Sequence, residues 1–262
     1  MRDILARCNG PALRAFVAEG TLFAFDFDGT LAPLVAHPAW VEMRETTRRL
    51  LTRLATQARC AVVSGRRRAD VQRHLHGIPL AAVIGNHGAE DGRARARAPR
   101  VGAWRDTLAA RLDVPGVWVE DKGLSIAVHY RAAADWVAAR NVIWRAASRL
   151  PEARVFDGNA VVNVVARGSP NKGQALATLL RRLGCDRAIF VGDDQTDEDA
   201  FALATTPAVL AVRVGWSRSS RAPYFIRGQG SIDGLLARTV ALLETHPVAD
   251  DEARATRRQE AP

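Results

Sequence analysis

Five short apolar runs, at residues 22–25, 60–63, 81–84, 188–191 and 209–212, punctuate both ends of the chain. Each is too short for a helix and apolar without alternation, the pattern of a strand buried on both faces. Between them, residues 42–58 (Met43, Leu50, Leu51, Leu54) and 172–183 (Leu176, Leu179, Leu180) repeat apolar positions at helical spacing. Residues 70–75 and 232–243 add two further helices. Strands alternating with helices in this way predict a parallel α/β sheet.

The middle of the chain has another rhythm: helix, hairpin, helix, hairpin. Helices are expected at 104–112 and 132–150. Strands 117–121 and 124–131 meet at Lys122-Gly123, and strands 155–156 and 160–165 flank Asp157-Gly158, a common hairpin turn. In the second strand Leu124, Ile126, Val128 and Tyr130 form an apolar face, with Ser125, Ala127, His129 and Arg131 opposite. Residues 98–166 are therefore expected to form a small α/β domain inserted into a core built from 1–97 and 167–246. Hinges are expected at 93–100 and 167–170, and a disordered tail at 247–262.

Composition narrows the function classes. With 262 residues, 48% hydrophobic and 25% charged, the chain can bury a sizeable core and is not a disordered protein. No stretch approaches the ~18 apolar residues of a membrane span, and the first residues lack the apolar run of a signal peptide. Cys8, Cys60 and Cys185 are odd in number and far apart, which excludes a disulfide framework and a zinc site by spacing. A monomer in a reducing, cytoplasmic compartment, without membrane partners, is the expectation. The net charge of +9 raises nucleic acid as a partner, yet the basic residues are spread over the chain without interleaved aromatics, so none is expected. All but two of the 37 basic residues are arginine. The exceptions, Lys122 and Lys172, mark places where a compact ammonium is needed in place of a planar fork.

Candidate chemistry clusters at the ends of the buried strands. Phe25-Asp26-Phe27-Asp28-Gly29-Thr30 follows the first. Asp-Gly is also an ordinary turn, but two carboxylates at a strand's C-terminal end sit where open α/β sheets bind ligands, and their desolvation calls for a cation such as Mg²⁺. Ser64-Gly65-Arg66 ends the second strand with a hydroxyl and backbone donors suited to phosphate oxygens. Lys172 opens a helix after Pro170-Asn171, beside the positive end of its dipole. Gly192-Asp193-Asp194-Gln195-Thr196-Asp197-Glu198 follows another strand with four acids, which need a cation or strong hydrogen bonds.

In this order the DxDGT, SGR, lysine and GDDxTDE segments resemble the haloacid dehalogenase superfamily. More narrowly, Gly85-Asn86-His87-Gly88-Ala89-Glu90, Glu120-Asp121-Lys122-Gly123, His129-Tyr130-Arg131 and Lys172-Gly173 are similar to trehalose-6-phosphate phosphatases, over residues 21–245. The resemblance implies a Rossmannoid α/β core with a parallel sheet and an inserted α/β cap of the C2 type. It implies a Mg²⁺-dependent phosphatase that hydrolyses trehalose 6-phosphate through a phosphoaspartyl intermediate, with Asp26 as nucleophile and Asp28 as general acid and base. Asp26, the Asp28 carbonyl and Asp193 would hold Mg²⁺, with Asp197 orienting the site. Ser64 and Lys172 would bind the transferring phosphoryl group, assisted by Gly29, Gly65 and Arg66. His87, Glu120, Lys122, Asn163 and Asp194 would face the sugar, although Asp194 could instead cap the following helix.

One departure concerns the sugar. The family commonly carries a lysine and a glutamate in the last cap strand, and a basic residue followed by proline after it. Here Asn159, Asn163, Val165 and Ala166 occupy that region. Another sugar phosphate is thus an open alternative, as are a phosphomutase and a sugar-phosphate-binding regulator.

Overall fold

The computed structural model describes residues 1–35, 40–91, 98–206 and 208–245. Most of the 93–100 hinge and the 247–262 tail lie outside the described residues. In chain order the first elements are β1 (Arg2–Asp3), α1 (Gly10–Phe16), β2 (Thr21–Phe25), α2 (Glu45–Gln57), β3 (Arg59–Val63), α3 (Arg68–His74) and β4 (Ala82–Ile84). Next come α4 (Ala98–Arg111), β5 (Trp118–Asp121), β6 (Ser125–His129), α5 (Trp136–Ala147), β7 (Ala153–Gly158) and β8 (Val161–Ala166). The chain continues with α6 (Lys172–Leu183), β9 (Arg187–Gly192), α7 (Glu198–Phe201), β10 (Val209–Val214), β11 (Tyr224–Ile226) and α8 (Ile232–Thr245).

Seven strands form an all-parallel sheet in the order β1-β11-β10-β9-β2-β3-β4. Alternate residues of its central strands enter opposite cores, because successive side chains of a strand point to opposite faces. Phe23, Phe25, Val62 and Val191 pack with Leu13, Leu51, Leu54 and Leu235 from α1, α2 and α8. Leu22, Ala24, Val63 and Phe190 pack with Leu176, Leu179 and Phe201 from α6 and α7. Continuous apolar strands, buried on both faces, follow directly.

A second sheet, antiparallel in the order β5-β6-β8-β7, comes from residues between β4 and α6. One face carries its own core, in which Trp104, Leu108 and Ile143 of the two helices pack on Ile126, Val128, Val162 and Val164. Ser125 and Asn163 lie on the other face, also buried, turned toward the C-terminal ends of the parallel strands.

Several boundaries differ from the sequence expectation. Helix α2 begins at Glu45 and not at residue 42, since Arg44 is extended (φ −59°, ψ 143°). Helix α4 starts six residues before Trp104, with Pro99 in the first turn, where its missing N–H breaks no helical bond. Helix α5 spans 136–147 and not 132–150, because the Asp135 carboxylate accepts from the Ala138 N–H at 2.9 Å and caps it there. The β7–β8 turn falls on Asn159-Ala160 and not on Asp157-Gly158. A bidentate pair with Arg140 (2.8 and 2.5 Å) holds Asp157 in the strand, Gly158 pairs with Val161, and Ala160 takes the positive φ of 56°. Strands β1 and β11 and helix α1 were not anticipated, being too short to show periodicity. Among the described residues, no helix is long and apolar enough to cross a membrane.

Candidate active site

Strands β9, β2 and β3 are neighbours at the sheet centre, so the segments leaving their C-terminal ends converge. Asp26 follows β2 and its N–H donates to the Val191 carbonyl at 2.8 Å. Phe25 and Phe27, both buried, anchor the loop on either side. Gly29 has φ of 79°, and a Cβ there would lie 2.2 Å from Asp193 Oδ2, so only glycine lets the two acidic loops come this close. Thr30 Oγ1 donates to Asp193 Oδ1 at 3.1 Å.

The loop after β9 is organised around Asp197, which is fully buried. Its Oδ2 accepts from the N–H groups of Asp193 and Asp194 at 2.9 and 3.0 Å, while Oδ1 accepts from Lys172 Nζ at 2.7 Å. Lys172 Nζ also lies 3.0 Å from Asp26 Oδ1. The lysine is the first residue of α6, fixed by a capping box in which Asn171 accepts from Gln174 N and Gln174 accepts from Asn171 N. Asp194 occupies the N-terminal end of the turn Gln195–Asp197.

Asp26, Asp193 and Asp197 bring one carboxylate oxygen each within 4.8 Å of the others. Burial pushes the Asp26 carboxyl well above its ordinary range; Lys172 opposes this, and Asp197, Asp193 and Asp28 add to it. Burial, then Asp197 and Asp194, push Asp193 up to about 8. Lys172 stays charged although burial disfavours it, because Asp197 and Asp26 flank it. One ammonium against three carboxylates leaves uncompensated negative charge, so this donor set suits a hard divalent cation.

Asp28 is outside that cluster. Both its carboxylate oxygens accept from the Arg66 guanidinium at 2.7 Å, and Arg66 also donates to Asp70 at 2.8 Å. Ser64 is fully buried below this pair, its Oγ accepting from Arg66 N at 3.2 Å. Gly65 packs against the His87 imidazole so closely that a Cβ would sit 2.4 Å from the ring.

The second sheet supplies the facing wall, in three rungs two residues apart. The inner rung holds Ser125, whose hydroxyl donates to Asn86 Oδ1 at 2.5 Å; Lys122 lies beside it, with Nζ 3.1 Å from the Gly65 carbonyl. In the middle rung Glu120, Ala127 and Asn163 are in register, and Asn163 Oδ1 meets His87 Nε2 at 3.3 Å. Trp118, His129 and Val161 make the outer rung. Burial would raise the Glu120 carboxyl, but a hydrogen bond with His129 and the Lys122 charge outweigh it and hold it below its usual value. Burial depresses Lys122, with Glu120 and Asp28 pulling it back. Burial, with the charges of Lys122 and Lys172, holds His87 well below the usual histidine value.

Between the two walls lies a cavity of about 750 Å³. Asp26, Asp28, Gly65, Arg66, Asp193 and Asp194 line it from the parallel sheet, together with His87. Glu120, Lys122 and Asn163 line it from the second sheet. Ser64, Lys172 and Asp197 are beneath its floor, 0%, 2% and 0% exposed, and act on it through the groups they bond. Sequence reasoning missed Thr30, Trp118 and Gln229, whose side chain donates to the carbonyls of Thr30 and Leu31 at 3.3 Å. Thr30 carried a signal as the last residue of the DxDGT segment, and Trp118 stands two residues before Glu120 on the same strand face.

Comparison with known proteins matches this arrangement. The trehalose-phosphatase family model matches residues 24–226. A trehalose-phosphate phosphatase of Mycolicibacterium paratuberculosis is 38% identical over 196 residues, covering 68% of this chain and 49% of the relative. The chain spans about half the length of the curated relatives it matches. The C-terminal domain of C. albicans trehalose-6-phosphate phosphatase superposes with a TM-score of 0.76 at 22% identity, covering 89% of this chain and 98% of that one. An Aspergillus fumigatus trehalose-6-phosphate phosphatase gives 0.59 at 24% identity, covering 87% and 97%. At these identities the two structures establish the shared fold. The family match spans β2 to β11 and so includes every acidic loop of the site: the chain belongs to the trehalose-phosphatase family.

Proposed function

We propose that this chain hydrolyses trehalose 6-phosphate to trehalose and phosphate through a phosphoaspartyl intermediate, with Mg²⁺ as cofactor. The observation that carries the reading is the chain from Asp26, beside Asp193 on the floor of a sugar-sized cavity, to Lys172 and Asp197 beneath it, within a family of phosphatases. Asp26 and Asp193 would hold the cation. Asp197, with both oxygens engaged by Lys172 and two backbone N–H groups, keeps them in place. When bound, Mg²⁺ offsets charge on the phosphoryl oxygens.

The residues then divide the work. The Asp26 carboxylate attacks phosphorus, forming an O–P bond as the bond to the sugar oxygen breaks. Asp28 gives that oxygen its proton, and afterwards takes one from the water that cleaves the aspartyl phosphate and regenerates Asp26. Lys172 favours the ionised form of Asp26 against the burial that opposes it, and stabilises the transition state. Arg66 aims Asp28 by gripping both its oxygens. Residues 98–166 act as the cap over a core of 1–97 and 167–246, and Lys122 reaches from one to the other. Three unpaired cysteines fit a reducing, cytoplasmic setting.

A second reading, another sugar phosphate, is favoured by Asn163, which bonds His87 in the strand where the family commonly has charged residues. Both are tested by phosphate release, with Mg²⁺ or EDTA, from trehalose 6-phosphate, glucose 6-phosphate, sucrose 6-phosphate, glucosylglycerol phosphate and p-nitrophenyl phosphate. Selective, Mg²⁺-dependent release from trehalose 6-phosphate is expected, and preference for another substrate would replace it. Asp26→Asn should abolish release. Asp28→Asn should lower kcat by about 100- to 10,000-fold with KM nearly kept. Undiminished turnover in either variant would refute the role assigned to it.

A further inference from the structure

Trp118 is the largest side chain in the outer rung and is 40% exposed. It lines the same cavity as Asp26. Its ring lies flat against the His129 imidazole, with centroids 4.0 Å apart and planes at 12°. His129 is fastened from below by Glu120 at 2.8 Å. The indole is thus a braced plate on an edge strand, with an acidic, hydrogen-bonding neighbour one rung inward.

Position along the strand gives this plate its meaning. Lys122, four residues further on, touches the Gly65 carbonyl in the loop proposed to hold the phosphoryl group. At ~3.3 Å per residue Trp118 stands about 13 Å out along the same wall. A single hexose carrying the phosphate reaches the middle rung, and a second ring joined to it is needed to reach the outer one. A pyranose has an apolar C–H face and hydroxyls at its rim, which suits an aromatic plate beside a carboxylate.

We propose that Trp118, stacked on His129, is the platform for the second sugar ring, and that it makes the enzyme select disaccharide phosphates over hexose phosphates. The assignment rests on the sugar-phosphatase reading and names a specificity-determining residue within it.

The test compares wild type, Trp118→Ala and Trp118→Phe on trehalose 6-phosphate and glucose 6-phosphate. With the alanine variant, the ratio of kcat/KM between the two substrates should fall about three- to tenfold through a raised KM for the disaccharide. Phenylalanine should restore most of it. An unchanged ratio, or an equal loss on both substrates, would overturn the platform while leaving the phosphatase reading intact. Wild-type enzyme that turns over p-nitrophenyl phosphate and glucose 6-phosphate but releases nothing from trehalose 6-phosphate would overturn the disaccharide reading and the platform together.

Discussion

His87 is where local conformation, burial and charge meet. It takes a left-handed φ of 57°, stacks over Gly65 and meets Asn163 across the cavity. Its folded pKa lies well below the ordinary 6.5, so the unfolded chain binds the proton first as pH falls. The stabilising contribution is complete above about 6.5 and is lost on acidification, by about 1.4 kcal/mol per pH unit while the two states differ by one proton. Asparagine tolerates the left-handed backbone, so His87→Asn should remove about 1.4 kcal/mol of the stability lost between pH 7.5 and 5.5, nearly all of it below pH 6.5. Urea unfolding at both pH values measures it, and an unaltered slope would mean that His87 titrates freely when folded. The residue types of the core side of the site were legible because Asp26, Ser64, His87 and Asp193 follow buried strands and Lys172 opens a helix. Their partners were not: Asp28 meets Arg66 across 38 positions of sequence, and Thr30 meets Asp193 across 163.

At the scale of elements, α6 shows how a local signal aims a functional group. The sequence placed Lys172 at the start of a helix after Asn171, and the structure's Asn171–Gln174 capping box fixes the turn from which Lys172 reaches Asp26 and Asp197. Asn171→Ala should cost about 1 kcal/mol and lower the melting temperature by about 2–4 °C. A thermal melt reports this, and phosphate release should fall with it as Lys172 loses its anchor. Full activity at an unchanged melting temperature would remove the cap from the account. The β7–β8 hairpin shows the converse. Asp157-Gly158 is a good turn dipeptide, yet the turn moved two residues on because Arg140, from α5, captures Asp157. A tertiary ion pair outweighed a local preference that is worth little alone. Apolar periodicity extended α5 to 132–150, and the Asp135 cap of the structure sets its start.

For the whole molecule, two sheets enclose a cavity with an acidic cluster at its floor, and a cation bound there should stabilise the native state by mass action. Mg²⁺ at about 100 times its Kd would add about 2.7 kcal/mol. A thermal melt should therefore rise with Mg²⁺ in wild type and not in Asp193→Asn, and an equal rise in both would place the cation elsewhere. The sequence by itself determined that the buried strands form a parallel sheet, that the middle segment has a different rhythm, and which carboxylates and lysines are proposed to carry the chemistry. Those follow from periodicity and from what stands at strand ends, both local properties. Tertiary structure alone decided that Asp197 is shielded below the floor, that Asp28 is gripped by Arg66, and that Trp118 faces the same cavity as Asp26. These depend on strand register and on how the second sheet docks over the first, and packing across the whole chain sets both.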